Sequence, residues 1–154
     1  MTSSLGHMDP LSTGELQVWQ ACKTLGHEVT RRVGAELTAV TGLSGSEYGL
    51  LSRLEELGGG RLGQQALADA MGWAKSRMSH QLTRMAARGI VRREKGPAGV
   101  IVVLTADGRE LLARARPVHA AAVREHLIDR LGEAERAMLV RIAGRLAGEA
   151  EPAG

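Results

Sequence analysis

The chain has 154 residues, 44% of them apolar, with aromatic side chains at only 2%, no Phe, one Cys and a net charge of +3. That length suits one domain, or a small domain with an appended assembly element, and the scarcity of aromatics excludes a surface built to stack on single-stranded bases. One cysteine excludes an internal disulfide framework and a Cys-rich zinc site; no run is long enough to cross a bilayer, and MTSSLGHMDPLS lacks the regions of a signal peptide. A cytoplasmic protein without membrane contact is the expectation.

Residues 1–10 and 149–154 are polar and small and are expected as flexible termini. Between residues 11 and 40, Trp19, Cys22, Leu25, Val29, Val33, Leu37 and Val40 recur at steps of three and four, which predicts one long amphipathic helix. Thirty residues would reach roughly 45 Å, more than a domain of this size covers, so part of its apolar stripe should meet another chain. Ser44 and Glu47 have the capping-box spacing and open a second helix with Tyr48, Leu51, Leu54 and Leu57 on its apolar side. Gly58, Gly59 and Gly60 end it. Arg61 and Leu62 suit a short edge strand, residues 64–71 a third helix, Gly72 and Trp73 a turn, and residues 74–88 a fourth helix stopped by Gly89. Residues 90–94 and 100–104 are β-rich runs around a glycine- and proline-containing tip. Thr105 can cap a fifth helix, which Pro117 should bend; a break near Leu131 and Gly132 precedes a last helix carrying Met138, Leu139, Ile142 and Leu146.

Charge singles out the middle of this order. From Gly72 to Lys95 stand Lys75, Arg77, Arg84, Arg88, Arg92, Arg93 and Lys95 against one acid, Glu94, a net +6 in a chain that totals +3. Within the fourth helix, Met78, Leu82 and Met85 make an apolar stripe while Arg77, Arg84 and Arg88 fall on another face. A short helix, a tight turn, a basic helix and two short strands is the order of a winged helix-turn-helix. The expected fold is therefore mainly α with a small β-hairpin wing: residues 44–105 form the winged domain, and residues 11–40 and 106–148 a helical region around it.

The segments GLSGSEYGLLSRLEELGGGRLGQQALADAMGWAKSRMSHQLTRMAARGIVRRE and VVLTADGRELLARARPVHAAAV resemble the MarR family of bacterial transcription regulators. WAKSRMSHQLTRMAARGIVRRE is similar to a recurrent recognition-helix pattern in one branch, and VLTADGRELL to the signature after the wing. The resemblance implies a homodimer in which the first helix and the last two interlock, with each subunit offering one winged helix to DNA. It also implies a ligand-responsive regulator, most often a repressor, acting on a pseudo-palindromic operator. Many members carry arginine at the wing tip; here Gly96, Pro97, Ala98 and Gly99 carry none.

Residue chemistry supports a double-stranded DNA role. Lys75, Ser76, Arg77, Ser79 and His80 lie in the first two turns of the fourth helix, where a recognition helix meets base edges. Arg77 can take both acceptors of a guanine. Arg84, Arg88, Arg92, Arg93 and Lys95 suit phosphate, as do Gln64 and Gln65 at the start of the third helix. Cys22, on the apolar stripe, is expected to be a buried and inert thiol. His119 and His126 are seven apart and lack the close pairing of a metal site, so no metal or cofactor is expected. The resemblance implies a small aromatic or phenolic effector near Trp19, His27 and Tyr48, with Trp73 as a further candidate, although core packing explains each equally well. A redox- or metal-responsive regulator, or a non-sequence-specific architectural DNA binder, remains open as an alternative. No nucleophile, base and acid form a recognisable set, so an enzyme is not expected.

Overall fold

A computed structural model describes residues 9–148; the expected flexible termini, apart from Asp9 and Pro10, lie outside them. The first helix, α1 (Thr13–Thr41), opens on a capping box between Ser12 and Glu15. Those bonds hold the Glu15 carboxyl below its usual range, the contact with the Ser12 backbone contributing most. The second, α2 (Gly45–Gly58), opens on the expected box: Glu47 N–H donates to Ser44 Oγ at 3.0 Å and Ser44 N–H to Glu47 Oε1 at 3.3 Å. Next come β1 (Arg61–Gly63), α3 (Gln64–Met71) and α4 (Lys75–Ala87). Past the end of α4, Gly89 takes the left-handed conformation expected of it, with φ 74.

The hairpin strands are β2 (Val91–Gly96) and β3 (Gly99–Leu104), each longer than the sequence suggests, so the tip is only Pro97 and Ala98. Glycine suits position 96, where a Cβ would press on the Ile101 side chain and lie 3.0 Å from the Gly99 carbonyl oxygen. All pairing is antiparallel in the order β1-β3-β2, with Leu62 and Arg93 both opposite Val102. The short strand before α3 is thus the edge strand that Arg61 and Leu62 predicted. Thr105 caps α5 (Ala106–His126), which runs on through Pro117; a 3-10 turn (Ile128–Arg130) then leads to α6 (Glu133–Leu146).

One core joins α2, α3, α4, the sheet and α5 to the C-terminal part of α1. Met78, Leu82 and Met85 are fully buried, as their spacing predicts. On α2, Leu51 and Leu54 are buried as expected, but Leu57 is exposed and Leu50 takes the inward place. At Gly108 a Cβ would lie 2.0 Å from the Ile90 carbonyl oxygen, so this glycine lets α5 approach the start of β2. The stripe of α1 divides: Val33 and Leu37 are buried, whereas Trp19, Leu25 and Val40 are exposed. Cys22, expected to be buried, is exposed, because nothing among the described residues covers the N-terminal half of α1. No residue of α6 is buried. Among the described residues, no helix is long and apolar enough to cross a membrane.

Candidate nucleic-acid interface

The face of α4 opposite its buried stripe carries the polar residues singled out by sequence. Lys75, Ser76, Arg77 and His80 are exposed and Ser79 is half-buried, all within the first two turns. Ala74, the N-cap, offers no side-chain hydrogen bond, so N–H groups of the first turn remain available to an anion.

The five arginines between residues 72 and 95 have different neighbours. The Arg77 guanidinium carbon lies 4.0 Å from the centre of the Trp73 ring, over its face. Arg84 donates to Gln81 Oε1 at 2.6 Å, and Arg93 to Thr83 Oγ1 at 2.7 Å, tying the wing to α4. Arg92 and Arg61 both pair with Glu94, at 3.1 and 2.6 Å. This holds the Glu94 carboxyl below its usual range, Arg61 first and Arg92 second. Arg88, expected to face phosphate, pairs with Glu47 and donates to the Gly42 carbonyl at 3.2 Å while its side chain stays exposed. One oxygen of Glu47 caps α2 while the other receives Arg88, so a single guanidinium joins the ends of α1, α2 and α4. The spacing of Ser44 and Glu47 revealed the cap; nothing local in sequence signals a partner 41 residues away.

The start of α3 and the wing share this side of the molecule. A groove of about 370 Å³ is lined by Gly63, Gln64, Gln65 and Ala66 on one side and residues 97–101 on the other. A smaller one of about 180 Å³ brings Gln64 and Gln65 beside Lys75 and Val100. Gln65 donates to Asp69 at 2.8 Å, while the side-chain oxygen of Gln64 is buried with no hydrogen-bond partner among the described residues. Lys95 is exposed on β2. Gln64, Gln65 and Lys75 therefore converge on connected grooves, with Pro97 and Ala98 in place of a basic wing tip.

The residues considered for an effector are not brought together within the chain. Trp19 lies under Lys23, whose Nζ is 5.6 Å from the ring centre, and His27 lines a groove along α1 with Cys22. Tyr48 instead stacks on His119, ring centres 4.3 Å apart, where α2 meets α5. Burial pushes the His119 pKa below its ordinary value. Trp73 belongs to the α4 face rather than to this junction. His126 is also separated from His119 in its contacts: it pairs with Glu36 of α1. Glu36, Glu125 and His126 offer ligand atoms within 4.8 Å of one another. His126 Nδ1, however, is buried without a hydrogen-bond partner, whereas a ligating histidine ordinarily has its second nitrogen held. The cluster is read as an interhelical pair with an acid beside it.

A family model described as a domain of unknown function, DUF7343, matches residues 44–102, essentially the winged domain. The transcriptional regulator HosA of Escherichia coli O111:H- is 35% identical over 86 residues, 54% of this chain. That match spans 63% of HosA, less than two thirds of its length. AbsC, a MarR family transcriptional regulator from Streptomyces coelicolor, is 33% identical, with a TM-score of 0.81 over 92% of this chain and 100% of that one. Sco3205, a MarR family regulator from the same organism solved in complex with DNA, is 31% identical, with a TM-score of 0.84 over 94% of this chain and 96% of that one.

Proposed function

Since the chain belongs to the MarR family of transcriptional regulators, we propose that it binds double-stranded DNA sequence-specifically as a homodimer and acts as a ligand-responsive repressor. One observation carries the DNA reading: α4 buries Met78, Leu82 and Met85 completely while Lys75, Ser76, Arg77 and His80 stand in solvent on its first two turns. In this motif that end of the helix enters the major groove, and Gln64, Gln65 and Lys75 flank it for phosphate. Arg84, Arg92, Arg93 and Lys95 add positive potential, while Arg88 is assigned an intradomain role.

The homodimer reading is supported by apolar surface that nothing among the described residues covers. Leu25 of α1 and Leu131, Met138, Leu139 and Ile142 around α6 line an apolar groove of about 490 Å³. A second copy related by a two-fold axis would bury both such faces and present two recognition helices one DNA turn apart. The effector reading rests on the family, and places the ligand at the junction between the winged domain and α5, where Tyr48 stacks on His119. A ligand there must bind two spacings of the recognition helices unequally to act as a switch.

The test is selection of duplexes from a randomised pool, followed by binding measurements on the selected and scrambled sequences across a salt series. A symmetric half-site pattern with strong preference over scrambled DNA supports the reading. Equal affinity for both would turn it towards an architectural DNA binder.

A further inference from the structure

Of the five arginines between residues 72 and 95, four donate to an oxygen of the chain: Arg84 to Gln81, Arg88 to Glu47 and Gly42, Arg92 to Glu94, and Arg93 to Thr83. Arg77 is different. Its neighbour is the π face of Trp73, and among the described residues it makes no hydrogen bond. With its carbon 4.0 Å over the ring, the guanidinium is held by the π system alone, and its N–H donors have no acceptor among the described residues. Those donors are what a guanine recognises through O6 and N7.

Trp73 is itself held in place. Its backbone N–H donates to the Ala68 carbonyl at 2.9 Å, within the turn that Gly72 makes in the left-handed conformation. The half-buried ring packs against the core. Trp73 precedes the N-cap Ala74, and Arg77 follows four residues later, so the first turn of α4 brings the guanidinium over a fixed ring. An arginine free in solvent loses side-chain entropy when it docks. One already laid on a rigid ring loses less and presents its fork in a set plane.

We propose that Trp73 is a positioning residue for base recognition, holding Arg77 so that its free edge reads a guanine in each half-site. This rests on the assignment of α4 as the reading helix. It assigns Trp73 to specificity, although the residue itself need not touch DNA.

The experiment uses a duplex selected by the wild-type chain from a randomised pool, together with all single base-pair variants of its half-site. Binding is measured for wild type, Arg77→Ala, Trp73→Phe, Trp73→Leu and the Trp73→Leu/Arg77→Ala double variant, with thermal melting of each protein alongside. Arg77→Ala should remove discrimination at one symmetric G·C pair. Trp73→Leu, which keeps apolar volume but has no π face, should lower discrimination at the same pair by about two- to fivefold per half-site, the scale of an exposed cation–π contact. Trp73→Phe should retain it. In the Arg77→Ala background, Trp73→Leu should change discrimination no further. If Trp73→Leu melts too low to assay, Trp73→Met, which also fills the site without a π face, is compared with wild type and should lose the same preference.

A full Arg77→Ala effect with discrimination unchanged in Trp73→Leu would overturn the role of Trp73 alone. So would equal losses caused by Trp73→Leu with and without Arg77, loss of preference at a different base pair, or full retention by Trp73→Met when that variant is the comparison. Unaltered discrimination in Arg77→Ala itself would remove the reading assignment of Arg77, and the positioning role with it.

Discussion

Met78, Leu82 and Met85 on α4 are sealed from solvent, whereas Met138, Ile142 and Leu146 on α6, at similar helical steps, are 45%, 42% and 76% exposed. The same contrast divides α1, where Val33 and Leu37 are buried but Trp19 is 54% exposed. Helical spacing determines that an apolar face exists; it does not determine where the covering surface comes from. For α4 the cover is α3, β2 and the core they share with the rest of the same chain, and for α6 it is the second copy proposed above. The winged domain and the outer helices should therefore fail differently when damaged.

The largest expected effect follows directly. Leu82→Ala should cost about 2–5 kcal/mol by leaving a cavity in a core that cannot fully collapse, whatever the protein concentration. Ile142→Asp should leave the winged core intact and instead prevent association, because it places a charge on the face assigned to the partner. Urea unfolding at two protein concentrations and sedimentation of both variants separate the cases. A wild-type chain that sediments as a monomer at micromolar concentration, or an Ile142→Asp chain that still associates, removes the dimer from the comparison.

Within the winged domain, the contrast can be sharpened with two arginines of α4 and its end. Arg77→Ala should lose about 1–3 kcal/mol of operator affinity per half-site, and the loss should be sequence-dependent. Arg88→Ala should instead lower folding stability by about 0.5–1 kcal/mol, because its exposed guanidinium pairs with Glu47. Its salt slope for DNA should match wild type. A slope reduced by about one per contact, with unchanged stability, would return Arg88 to the phosphate side.

Much of the fold was legible because its signals are local. Ser44 and Glu47, Gly89 and Thr105 each mark a helix end within a few residues, and the charge run around α4 needs only counting. The edge strand at Arg61 followed from chain order, whereas its pairing with Glu94 requires β1 and β2 to flank β3. The contacts of Arg88 with Glu47 and Gly42 were hidden for the same reason, as these partners are 41 and 46 residues away. That Leu57 is exposed and Cys22 uncovered within the single chain was not legible, because spacing alone cannot say where coverage stops or which chain supplies it. Trp73 and Arg77 are four residues apart, a visible spacing, but Trp73 suited a ligand pocket or the core equally until the geometry put it under the guanidinium.

The smallest expected effect tests the boundary between the two regions, where Tyr48 of the winged domain stacks on His119 of α5. Burial lowers the His119 pKa from its ordinary 6.5, so the folded chain keeps this imidazole neutral over a pH range in which the unfolded chain takes up a proton. The unfolded state then binds more protons, and stability must fall as pH drops from above 6.5 towards the folded-state pKa, levelling off below it. His119→Phe retains a ring against Tyr48 but has no proton to bind, so its stability should change less over that window. Urea midpoints of both proteins measured at several pH values on either side of 6.5 check this. Parallel curves would show that His119 does not supply the pH dependence, and would leave its stack on Tyr48 as a packing contact that the proton does not reach.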